Sequence, residues 1–126
     1  MTKATITIME GEQGGRIAHL YVSSDGQEEG ENLLQFARQE QPDPDRFDEL
    51  FTPASFAERY APWHFANHPG VYHSSERFAS CEQVERPRPA EYDYTVTLAA
   101  GSVRAIRAVR VGFGGVRELY TVSFPA

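Results

Sequence analysis

The stretch Ser23–Leu34, SSDGQEEGENLL, sits where an apolar β-like run gives way to a helical pattern, and its reading decides the fold. Two glycines and four carboxylates fall within it. Four readings are open: a metal loop, a phosphate loop, an acidic binding surface, or the start of a helix. Ser24 or Asp25 stands where a helix N-cap belongs, and Glu28, three residues after Asp25, completes a capping-box pattern. Beyond it Gly30, Leu33, Leu34 and Ala37 share one helical face. Glu28, Glu31, Asn32, Gln35 and Gln39 share the other. Gly30 costs about 1 kcal/mol relative to alanine inside a helix, so its place on the apolar face predicts close packing against a sheet. The prolines of QPDPD (41–45) end this helix.

Working outward, ATITIM (4–9) alternates apolar residues with threonine and reads as a strand. EGEQGG (10–15) is a turn and RIAHLYV (16–22) a second strand, so the chain opens with a β-hairpin. After the first helix, Asp43–Pro44 predicts a short second one with Phe47, Leu50 and Phe51 as its buried stripe. Thr52–Pro53 restarts a third, with Phe56 and Tyr60, and Pro62 stops it. Residues 62–90 read as irregular. EYDYTVTL (91–98) is a strand with Tyr92, Tyr94, Val96 and Leu98 on one face. VRAIRAVRVGF (103–113) has arginines at every third position, which suits a helix, but its valines and flanking glycines favour a strand. VRELYTVSF (116–124) alternates as the last strand. The order β-β-α-α-α-loop-β-β-β predicts a single α+β domain over 1–126, an antiparallel sheet with helices packed on one face. No βαβ alternation appears, which excludes a Rossmann-type or P-loop reading.

The 126 residues suffice for one real core, and the net charge is −6. Residues 1–60 carry 12 acidic against 5 basic side chains, net −7, whereas 61–126 carry 6 against 7, net +1. That balance disfavours direct nucleic-acid binding and an anionic membrane surface. A lone Cys81 permits no internal disulfide and fits a reducing compartment. With no signal pattern and no apolar run of about 20 residues, the expectation is a soluble, cytoplasmic protein.

Specific chemistries are weakly encoded. Read as a calcium loop from Asp25, the opening stretch has glycine at its sixth position but Phe36 at the twelfth, where a bidentate glutamate is required. As a phosphate cradle it has no Lys or Arg, and its carboxylates already occupy the favourable field of the helix start. His64, His68 and His73, with Cys81 downstream, could form a metal site or a thiol enzyme, but no CxxC or HExxH spacing supports it. No GxSxG elbow marks a serine nucleophile. The expectation is therefore a chain without cofactor or catalytic residues. What stands out is charge: between Asp25 and Glu49 there are 9 acidic and 2 basic residues. A row of carboxylates can occupy Lys/Arg sites that otherwise hold nucleic-acid phosphates. The predicted partner-binding set is Glu28, Glu31, Asp43, Asp45, Asp48 and Glu49, with Trp63, Phe65 and Tyr72 as apolar anchors.

Thr5, Ile6, Leu20, Tyr21, Asp25, Gly26, Gly30, Leu33 and Leu34, together with the EYDY strand, resemble a group of small uncharacterised phage and mobile-element proteins with an IYxHWDGYPE…G…LL signature. Ser23–Ser24 replaces its His-Trp and Gln27–Glu28 its Tyr-Pro. By setting and composition the chain is similar to anti-CRISPR-type counter-defence proteins. The resemblance implies a non-enzymatic inhibitor that binds a host protein or ribonucleoprotein complex with a basic groove and blocks its nucleic-acid or partner site. Two alternatives are a small metal- or thiol-dependent enzyme on the His/Cys set and a self-assembling accessory protein that pairs through ELYTVSF.

Overall fold

A computed structural model describes residues 2–11, 15–23, 25–67, 81–112 and 114–125. The opening hairpin forms as its alternation dictates. Strands β1 (Ala4–Glu10) and β2 (Ile17–Val22) pair antiparallel, with Ile6 opposite Leu20. A 3-10 turn over Gly26–Glu28 leads into α1 (Glu29–Glu40), and a second 3-10 turn over Phe47–Glu49 precedes α2 (Pro53–Asn67). The chain then forms β3 (Cys81–Val84), β4 (Tyr92–Ala99), β5 (Ser102–Gly112) and β6 (Gly115–Ser123). The six strands make one sheet in the order β3-β2-β1-β4-β5-β6.

Four of the five strand pairings are antiparallel, but β1 and β4 run parallel, so the sheet is mixed. The cause is β3, a strand inside the region read as irregular. It takes the free side of β2. Residues 85–91 then carry the chain back across the sheet, and β4 begins level with the start of β1, Ala4 opposite Tyr92. A crossover of this kind can deliver only a parallel neighbour.

Both helices cover the same face. Ala4, Ile6, Ile8, Leu20, Val22, Tyr94, Val96, Leu98 and Ile106 supply the sheet side of the core. Leu33, Phe36, Ala37, Phe56, Ala57 and Tyr60 supply the helix side. Phe36 lies at the centre of an aromatic cluster, with ring centroids 5.1–6.0 Å from Phe51, Phe56, Tyr60 and Trp63. Edge-to-face contacts of this kind add about 0.5–1.5 kcal/mol each beyond burial. Gly30 packs against the sheet as its face predicts: a methyl group there would meet the Tyr120 hydroxyl and lie 2.9 Å from the Tyr94 ring. Gln41 ends α1 and plugs it into the sheet, its amide donating to the Val103 carbonyl at 3.0 Å and accepting from the Val103 N–H at 2.9 Å.

Three local expectations are corrected. Asp25 takes a left-handed conformation, φ 56°, and α1 begins only at Glu29, so the Asp25/Glu28 capping box does not form. The helix predicted from Asp43 shrinks to the Phe47–Glu49 turn. Only Phe51 of its stripe is fully buried, because Phe47 points outward. Pro62 lies inside α2 and does not stop it. Proline removes one helical hydrogen bond and crowds the preceding turn. Here Phe56 and Tyr60 before it and Trp63 and His64 after it all pack inward, which holds the helix together through the defect.

Candidate functional site: an acidic loop and a buried carboxylate

The six predicted carboxylates do not form one row. Glu28 and Glu31 are exposed at the start of α1, while Asp43, Asp45, Asp48 and Glu49 lie beyond its far end. From Glu31 to the end of α1 at Glu40 is nine residues of helix, about 14 Å at 1.5 Å per residue. In the second group Asp43 accepts the Asp45 N–H at 2.9 Å, which folds the loop on itself. Glu49 is half-buried and pairs with Arg46 at 2.8 Å. Arg59 lies 3.7 Å from Glu40, donates to the Glu49 carbonyl and covers the Phe51 ring at 4.6 Å. The net acidity of this end therefore rests on Asp43, Asp45 and Asp48, all exposed.

Among them stands Phe47, 83% exposed, the most exposed large apolar side chain among the described residues. Exposing a phenylalanine forgoes about 1.5–3 kcal/mol of burial. The i, i+3, i+4 spacing of Phe47, Leu50 and Phe51 looks helical and predicts Phe47 in the core. In the structure the segment forms only the Phe47–Glu49 turn, with Arg46 and Leu50 extended on either side, so no helix turns Phe47 inward. Of the predicted anchors, Phe65 is half exposed. Trp63 belongs to the aromatic cluster, 5.3 Å from Phe36 and 5.8 Å from Tyr60, and is a core residue more than a surface one. Tyr72 lies outside the described residues, as do His68 and His73.

The opposite anomaly is Glu29, a carboxylate only 1% exposed. The Tyr60 hydroxyl donates to it, His64 Nδ1 lies 2.8 Å from its Oε1, and Asn32 approaches Oε2 at 3.5 Å. A buried charge survives only with such partners. Burial and the adjacent Glu29 charge push the Tyr60 phenol well above its usual value. Cys81, on the core face of β3, is pushed up by burial first and then by Glu29 and Glu82. Glu29 was legible in principle: with Leu33, Phe36 and Ala37 it falls at i, i+4, i+7 and i+8, inside the apolar stripe. Tyr60 and His64, four apart on α2, meet it from the facing helix.

A carboxylate holding an imidazole Nδ1 is the orienting half of an acid–base device. The thiol beside it is held protonated, whereas a cysteine nucleophile needs the opposite. Among the described residues no group of three His, Cys, Asp or Glu side chains is placed to hold a metal ion. No helix among them is long and apolar enough to cross a membrane. No protein-family model, curated protein or solved structure matches the chain.

Proposed function

We propose that this chain is a non-catalytic inhibitor, anti-CRISPR-like in its specific form, that binds a host defence complex through the acidic loop 43–49 and blocks its nucleic-acid or partner site. The observation that carries the reading is Phe47, held out to solvent between Asp43, Asp45 and Asp48. An aromatic anchor ringed by charge is the composition of an interface hot spot and its rim. The surface it fits is a basic groove with an apolar pocket, where the carboxylates replace phosphates and the ring supplies burial. Glu28 and Glu31 form a separate, secondary patch. The resemblance to phage and mobile-element proteins supplies the setting, a bacterial cytoplasm.

The test is phage plating on a bacterium with an active CRISPR system that expresses the chain. Wild type restores plating. Asp45→Lys/Asp48→Lys loses protection, while Glu28→Lys/Glu31→Lys retains most of it. Full protection by the first variant defeats the proposal.

A further inference from the structure

One row of residues crosses the whole sheet: Cys81, Val22, Ala4, Tyr92, Arg110 and Arg117, each opposite the next. Directly opposed residues share a face. Val22 and Ala4 are in the core and Tyr92 is half-buried against it, so the row lies on the helix-covered face. Among the described residues, the cover of this row ends at Tyr92. Beyond it Arg110 and Arg117 stand side by side and exposed on β5 and β6.

Like charges directly opposite each other destabilise a strand pair. Arg46, Arg59, Arg88 and Arg107 each have a carboxylate within ion-pair distance; among the described residues Arg110 and Arg117 have none. Glu118, next in sequence to Arg117, is engaged by Arg107 at 3.3 Å and Thr121 at 2.9 Å. The Arg110 guanidinium lies 6.0 Å over the Tyr92 ring, and Tyr120 flanks the pair from the next row. Gly112, Gly114 and Gly115 leave open space at the hairpin end.

We propose that Arg110 and Arg117 form a binding site for a compact phosphate-bearing anion, with Tyr92 and Tyr120 as its aromatic walls. Two guanidiniums on neighbouring strands can grip one tetrahedral oxyanion from two sides. The anion removes the repulsion that the register imposes. A long polyanion is disfavoured, because Glu31 lies near Tyr120, whose phenol is raised first by burial and then by that charge, and Glu28 is one turn away on the same acidic end. The site is separate from the acidic loop and does not depend on that loop's role.

Titration calorimetry with inorganic phosphate and with adenosine 5′-monophosphate, in low-salt chloride buffer, tests it. Saturable binding of either supports the site. Affinity at least tenfold tighter for the nucleotide identifies a stacked base beside the phosphate, and equal affinity identifies free phosphate. Arg117→Thr, on the exposed edge strand, weakens binding at least tenfold, and Arg107→Ala leaves it unchanged. Without ligand, Arg117→Thr raises the melting temperature by about 1–4 °C, since the repulsion is gone. Absence of saturable binding to both probes, or binding unaltered in Arg117→Thr, overturns the proposal.

Discussion

Glu29 and Phe47 lie 18 residues apart and invert the usual rule in opposite directions: the carboxylate is 1% exposed and the phenylalanine 83%. The difference lies in what meets each side chain. Glu29 is met from the facing helix by Tyr60 and His64, so its burial is explained within the chain. Phe47 is carried on a short 3-10 turn that leaves it exposed, in a loop with the exposed Asp43, Asp45 and Asp48 and with Arg46, which pairs with Glu49. An internal anomaly with internal partners is architecture. An external one, in a loop of exposed carboxylates, is what the proposed interface would use.

Truncating phenylalanine at two sites separates the inside from the outside. Phe36→Ala empties the centre of the aromatic cluster and costs about 3–5 kcal/mol in urea unfolding. A loss below about 1 kcal/mol would mean the cluster is not the core it looks to be. Tyr60→Phe is next: it removes a hydrogen bond to a buried carboxylate, about 1.5–3 kcal/mol.

The same variant carries a pH signature. The folded-state pKa of Tyr60 is raised, so its contribution is complete below the unfolded value near 10 and is lost as pH rises beyond it. Cys81 acts in the same direction above its unfolded value of about 8.5. Wild-type melting temperature therefore falls through the alkaline range, and Tyr60→Phe falls less steeply above pH 10. Parallel curves for the two proteins would contradict the burial of that phenol. Cys81 should also react with a disulfide reagent far more slowly in the native protein than after unfolding.

A third variant tests the helix–sheet approach. Gly30→Ala costs about 1–3 kcal/mol by overpacking against Tyr120 and Tyr94, and adding Tyr120→Phe restores part of it. The smallest effect belongs to the outside: Phe47→Ala changes stability by no more than about 0.5 kcal/mol.

How much of this was legible in the sequence follows the same division. The α+β class, the hairpin, the face of Tyr94, Val96 and Leu98, and the close approach at Gly30 all come from periodicities of two and 3.6, and all are present. The arginine triplet in β5 was ambiguous because three-residue spacing fits a helix face, yet in the strand Arg107 and Arg110 fall on opposite faces. What was hidden depends on distant partners. β3 is four residues long and exists because β2 offers a free edge. Its arrival makes the central pair parallel, which no local pattern encodes. Pro62 stops an isolated helix but not one packed on both sides of it. Trp63 looks like an anchor from composition, and its place among Phe36 and Tyr60 emerges only in three dimensions. The acidic set falls on two elements in the sequence pattern, Glu28 and Glu31 on the first helix and Asp43, Asp45, Asp48 and Glu49 at the second, but the distance that α1 puts between them is not encoded locally.

The central claim, that loop 43–49 serves binding and not folding, is tested most directly by Phe47→Ala in a single preparation. Its unfolding midpoint and its protection of phage in the CRISPR-active host are measured together. The expected result is a wild-type midpoint with protection lost at least tenfold; a wild-type midpoint with protection fully retained would refute a binding role for the loop.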